Sequence, residues 1–162
     1  ASLTITVSSN IYLTAIFIET PDDSNNSNIA NENTDPTLWT GAATTFNKYD
    51  GSNPNLEEKQ DRITENVWIT RGNTGGQIFN IAINNSADKT QSPVGTEWAI
   101  GTLDELDNLT FDYFRNAISR PKSVVGKNLV LHLIEDDIYI NVKFTSWSQG
   151  KRGGFSYERS TP

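Results

Sequence analysis

Apolar and polar residues alternate with a period of two along much of this chain, which predicts strands. Leu3, Ile5 and Val7 alternate with Ser2, Thr4, Thr6 and Ser8, the pattern of a one-sided strand with a polar outer face. Residues 11–19 are apolar on both faces, as in a central strand covered on both sides. Residues 63–71, 78–83 and 96–100 read as further short strands, bounded by Gly- and Asn-rich turns. The alternation is clearest near the end. Leu129, Leu131 and Leu133 lead into Glu135-Asp136-Asp137, and Ile138, Ile140, Val142 and Phe144 follow. This predicts a β-hairpin with a three-residue acidic loop. A Gly-rich turn at 148–154 then opens a last strand at 155–159.

Two segments break the pattern. Thr102-Leu103-Asp104-Glu105 matches a capping box, and the apolar spacing after it turns helical until Pro121. One short helix is expected within 102–119. Residues 21–58 are dominated by turn formers. An irregular loop of that length is uncommon inside a domain, so it either hides a short strand around 39–46 or carries function. These elements predict a mainly β fold: an antiparallel two-sheet sandwich, jelly-roll-like, forming a single domain over 1–162.

Composition changes this picture in three ways. The net charge of −7 argues against a nucleic-acid partner and against adsorption to an anionic membrane surface. No stretch has the roughly 20 apolar residues that membrane insertion requires. Cysteine is absent, which removes disulfides, thiolate metal sites and thiol nucleophiles. The load of 18 Asn, 18 Thr and 14 Ser suits an extracellular protein, and the small residue Ala1 suits an end left by a signal peptidase. Asn25, Asn84 and Asn108 each begin an Asn-x-Ser/Thr glycosylation sequon.

Little in the chain points to catalysis. His132 is the only histidine and falls in mid-strand, and no nucleophile-elbow or zinc-protease motif is present. The two Gly-rich turns each join two strands, so neither opens a helix as a phosphate loop does. Binding chemistry has more support. Asp50, Asn53, Asn55 and Glu57 put oxygen ligands at near-alternate positions in a Gly-containing loop, which suggests calcium as the one candidate cofactor. Trp68, Trp98, Trp147 and Tyr157, with Arg71, are candidates for carbohydrate binding, because sugars stack on flat rings and take hydrogen bonds from polar neighbours. Leu3, Ile5 and Val7 mark a terminal strand suited to insertion into a neighbour's sheet.

The blocks DRITENVWITRGNTGGQIFNIA, SPVGTEWAIGT and LHLIEDDIYINVKFTSWSQGKRGGFSYERSTP, within 61–162, resemble a module of secreted, multi-domain surface proteins of Bacteroidetes-type bacteria. The resemblance implies a β-rich fold and an extracellular or cell-surface location. It implies no chemistry. A free-standing copy of such a module is expected to assemble with itself. The first expectation is thus a secreted, non-enzymatic structural or adhesive domain, a self-assembling filament subunit joined by β-strand addition. The alternative is a carbohydrate-binding module. The expected partners are further copies of the chain or a cell-surface glycan.

Overall fold

The structure, a computed structural model, describes residues 35–162. The expected strands at 1–8 and 11–19, the assembly residues Leu3, Ile5 and Val7, and the sequon at Asn25 lie outside the described residues.

Among the described residues the fold is mainly β, with nine strands in two sheets. The larger sheet is built on an antiparallel meander. β6 (Thr96–Ile100), β7 (Asn128–Leu133), β8 (Ile138–Trp147) and β9 (Phe155–Arg159) pair each with the next, and β2 (Thr44–Lys48) pairs antiparallel with β9. β1 (Thr37–Trp39) runs parallel to the start of β8, the one parallel pairing among these strands. The smaller sheet holds β3 (Asp61–Arg62), β4 (Trp68–Gly72) and β5 (Gly75–Asn80). The stretch expected to be a long loop therefore contains two short strands, β1 and β2.

Register decides which side chains enter the core. Trp98, Leu131 and Ile140 lie opposite one another on adjacent strands, as do Leu129 with Val142 and Phe144 with Tyr157. All face the smaller sheet and pack with its Ile69 and Ile78. The hairpin turn has four residues rather than three, Ile134 to Asp137, because Leu133 pairs directly with Ile138. Asp137 closes it in a left-handed conformation, φ 47°. Asp is among the few non-glycine residues that tolerate this region.

The expected helix is split. Leu103–Asn108 forms a 3-10 turn, with the Glu105 carboxylate accepting from the Thr102 backbone N–H at 3.0 Å. Only Phe114–Ile118 is α-helical, here α1. Between them the chain bridges to β6, where Trp98 and Asp112 exchange backbone hydrogen bonds. That pairing requires extended backbone, so a single helix cannot run through 109–113.

A buried polar cluster joins the two sheets. Asp61 of β3 takes a two-pronged contact from Arg159 of β9, at 2.7 and 3.0 Å, and a third hydrogen bond from the Tyr157 hydroxyl at 2.6 Å. Burial first, and then the Asp61 carboxylate, hold the Tyr157 phenol well above its ordinary pKa. A phenol whose folded pKa is raised contributes its full stability below about pH 10, the unfolded value, and loses it progressively as pH rises further. The denaturant midpoint should therefore fall above about pH 10. Tyr157→Phe should flatten that alkaline slope, and an unchanged slope would show that Tyr157 does not report on this cluster.

Candidate functional site

One concave surface stands out, and it forms where the two Gly-rich turns meet. β4 and β5 are joined by Asn73-Thr74 alone, with Gly72 opposite Gly75. The β8–β9 turn, 148–154, folds back against this hairpin. Gly153 sits at φ 80°, and a Cβ there would collide with the Gly72 carbonyl oxygen. Only glycine lets the two backbones approach this closely.

Arg71 pins the turns together. Its Nε donates to Gly76 O at 2.8 Å, and its Nη1 donates to Ser148 O at 3.0 Å and Gly154 O at 2.8 Å. Its guanidinium lies 4.0 Å from the Trp147 ring centroid. Burial pulls the Arg71 pKa down to about 10, with partial opposition from the Asp50 carboxylate, so the group stays charged at neutral pH.

Around this clamp lies a cleft of about 510 Å³, within the usual range of small-ligand sites. Arg71, Lys89, Arg115, Arg120, Lys122 and Lys151 all line it, and no acidic side chain does. Six of the chain's 13 lysines and arginines thus converge on one surface of a protein with net charge −7. They arrive from separate places: β4, the loop after β5, α1, the 3-10 turn after α1, and the β8–β9 turn. The loop bearing Lys89 is held by Gln77, whose Nε2 donates to Asp88 O and Ser92 O, both at 2.9 Å. α1, bearing Arg115, is held at its start by Asp112 Oδ1, which accepts from the Tyr113 N–H and the Asn116 amide. Like charges gathered on a concave, low-dielectric surface focus a positive potential there. A second cavity of about 460 Å³ lacks this property, because Asp104 and Glu158 face Lys143 and Arg159 across it.

The candidates read from the sequence divide. Arg71 and Trp147 are in the cleft. Trp98 and Tyr157 are not ligand-facing and must be corrected: they are 0% and 1% exposed and belong to the core. Their strand phase matches Leu131 and Phe144 on the neighbouring strands, which turns both rings inward. Trp68 is half-buried and lies away from the cleft. Its indole N–H donates to Thr64 O at 3.0 Å, and Arg62 covers its ring at 4.2 Å.

Three of the four candidate calcium ligands, Asp50, Asn53 and Glu57, have partners within the protein. Asp50 Oδ1 accepts from the Gly154 N–H, Asn53 Oδ1 accepts from the Asn55 N–H, and Glu57 pairs with Arg62 at 2.8 Å. Among the described residues, no group of three or more His, Cys, Asp or Glu side chains is placed to hold a metal. Also among these residues, no helix is long and apolar enough to cross a membrane. His132 stacks on Tyr139 at 4.1 Å and contacts Asp137 at 3.1 Å and Glu97 at 3.8 Å.

Lys89, Arg115, Arg120, Lys122 and Lys151 were not anticipated as site residues. They are scattered along the chain and form no basic run. The nearest local signal is Arg120-Pro121-Lys122. Comparisons with known proteins found no matching family model, no matching curated protein and no matching solved structure.

The fold and the cleft thus define a β-sandwich carrying one strongly cationic concave surface.

Proposed function

We propose that this chain is a non-catalytic binding domain of a secreted or cell-surface protein, and that it takes an anionic ligand in the cleft between its two Gly-rich turns. The observation that carries this is the gathering of six cations, without one acid, on a single concave surface of an acidic protein. Charge segregated in this way has a cost, because like charges repel when nothing separates them. Arg115, Arg120 and Lys122 are exposed and make no contribution to the core that would explain their position. An anion would relieve the repulsion and collect charge-assisted hydrogen bonds.

The surroundings of His132 support a non-catalytic role. Its ring nitrogens face two carboxylates and its plane is stacked on a tyrosine, so it has no hydroxyl nucleophile to activate. The Asn-, Thr- and Ser-rich composition supports an extracellular location. Assembly through β-strand addition rests on residues 1–8, outside the described residues.

Pyrophosphate serves as a generic probe. Its titration into the isotope-labelled full chain at low salt should shift the amide signals of Gly76, Gly150 and Lys151 and the indole signal of Trp147. The double variant Arg115→Glu/Arg120→Glu should lose these shifts while keeping its melting temperature. Shifts spread evenly over all surface cations, Lys127 and Lys143 included, would overturn the proposal.

A further inference from the structure

We infer, resting on the cleft being the anion site proposed above, that its occupant is a second copy of this chain, which docks its opposite end there and so builds a head-to-tail row. The surface at that opposite end supports this independently of the cleft.

β8 connects the two ends. Its ten residues span about 30 Å at the usual strand rise. The cleft lies past its last residue, and the 134–137 turn precedes its first. The smaller sheet is laid out in the same way. Thr74, in the β4–β5 turn, lines the cleft, whereas residues 66–67 before β4 and 82–83 after β5 line a concavity at the far end.

That concavity, of about 280 Å³, has an apolar centre and an acidic rim. Ile83 and Ile134 line it and are 55% and 46% exposed. Gly95 brings them together. Its carbonyl accepts from the Ile134 N–H at 3.1 Å, and Ile83 Cδ1 lies 3.6 Å from where a Cβ on Gly95 would stand. Asp136 fixes the turn to the 64–66 loop, accepting from Thr64 Oγ1 at 2.7 Å and Asn66 Nδ2 at 2.9 Å. Glu65 and Glu135 are left on the rim, both exposed and without an ion-pair partner among the described residues. Among those residues no cation lines this surface. One exposed isoleucine is ordinary, but two sharing a concavity ringed by charge mark a contact surface.

Each end supplies what the other lacks. The cleft carries cations and no acid, and the far end carries acids and no cation. The aliphatic stems of Arg115, Arg120 and Lys122 can cover the isoleucines while their heads reach the glutamates. A free anion would neutralise the cleft but leave the isoleucines exposed, whereas a second copy answers both surfaces with one contact. Because the two surfaces differ and lie at opposite ends, the contact is heterologous and leaves a free end on each side. The net charge of −7 does not forbid this. At about 0.15 M salt, charges more than about 8 Å apart are screened, so a docking copy senses the local patch rather than the sum.

Sedimentation velocity of the full chain tests this. At about 0.15 M salt the sedimentation coefficient should rise with concentration from about 10 μM to 1 mM, and the rise should vanish at about 1 M salt. Saturating pyrophosphate should abolish it too, by occupying the cleft. Arg115→Glu/Arg120→Glu and Glu65→Arg/Glu135→Arg should each stay monomeric, because each has lost one end. Mixed together they should form a 1:1 pair that grows no further, since one intact cleft then meets one intact acidic end. Ile83→Ser/Ile134→Ser should weaken association about tenfold or more. All these positions are exposed, so each variant should keep its melting temperature.

A chain that stays monomeric throughout, variants that still associate alone, or a mixture that does not pair would overturn the head-to-tail contact; pyrophosphate mapping to the cleft would still stand. So would a fall in melting temperature in Glu65→Arg/Glu135→Arg without loss of association, which would mean that the far end is covered within its own chain and that the contact lies elsewhere. If pyrophosphate does not bind the cleft and the chain does not associate, the anion site and the contact both fail.

Discussion

Asp61→Ala should destabilise the protein by about 3–5 kcal/mol, the range found when one partner of a buried ion pair is removed. The cause is what the substitution leaves behind. The side chains of Arg159 and Asp61 are only 11% and 10% exposed. Without the carboxylate, a guanidinium remains in the interior facing no counter-charge. The Tyr157 hydroxyl, on a residue 1% exposed, loses its acceptor as well. The contact also joins β3 of the small sheet to β9 of the large one, so the packing between sheets weakens with it. For a body of this size the melting temperature should fall by about 10–15 °C. Replacing the cluster with apolar groups, in Asp61→Leu/Arg159→Met/Tyr157→Phe, should recover much of the loss, because no buried polar group is then stranded. Denaturant unfolding of both variants is the measurement. A cost below about 1 kcal/mol for Asp61→Ala would mean that water reaches the pair freely.

Asn80→Ala should cost about 3 kcal/mol, for a different physical reason. Asn80 is fully buried, and its side chain uses both its donors and both its acceptor sites. The amide donates to Asn66 O at 2.8 Å and Val94 O at 3.1 Å. Its oxygen accepts from the Trp68 N–H at 2.9 Å and the Ala82 N–H at 3.2 Å. The residue thus ties the end of β5 to the start of β4 and to the loop before β6. Truncation strands four backbone groups at once. Asn80→Asp gives the sharper comparison. It keeps both acceptor contacts but turns a carboxylate oxygen toward two carbonyl oxygens. It should be at least as damaging as alanine near neutral pH and recover in part as pH falls and the new carboxyl takes up a proton. Equal stability of Asn80→Asp and the parent chain at neutral pH would sink this account.

Much of the architecture was legible where side chains alternate strictly. From Leu129 to Leu133, and again from Ile138 to Phe144, every second residue is apolar, and these two segments form β7 and most of β8. β9 was legible for the same reason, and β6 as a short apolar-rich run ahead of a glycine. The boundaries that shifted did so for identifiable causes. The Gly-rich turn expected around Arg71–Gly76 is shorter than it looked: Arg71, Gly72, Gly75 and Gly76 are strand residues flanking a two-residue turn. Glycine alone does not say whether its conformational freedom is used in a turn or in close backbone packing. The helix expected within 102–119 was divided because Asp112 pairs with Trp98 of β6, a contact between residues far apart in the folding pattern.

The candidate site was legible only in part. Arg71 and Trp147 could be singled out as residues beside Gly-rich turns. Trp98 looked equivalent to Trp147, yet one is core and the other lines the cleft. Alternation within a strand divides residues into two faces but does not say which face meets the second sheet. That is set by register against neighbouring strands, and the pairing of Trp98 with Leu131 turns its ring inward.

By itself, then, the sequence determined the β character of the chain, the positions of its principal strands and turns, its acidic balance and its lack of thiol chemistry. These follow from local spacing and from composition, which no folding step can alter. The tertiary structure alone decided where the charges gather. Lys89, Arg115, Arg120, Lys122 and Lys151 have no shared period and no common segment. They become neighbours only because Arg71 and Gly153 draw two distant turns together and because the Asp112–Trp98 bridge sets α1 beside them. An electrostatic surface sums over space rather than along the chain, and a chain of net charge −7 can for that reason carry a cationic cleft.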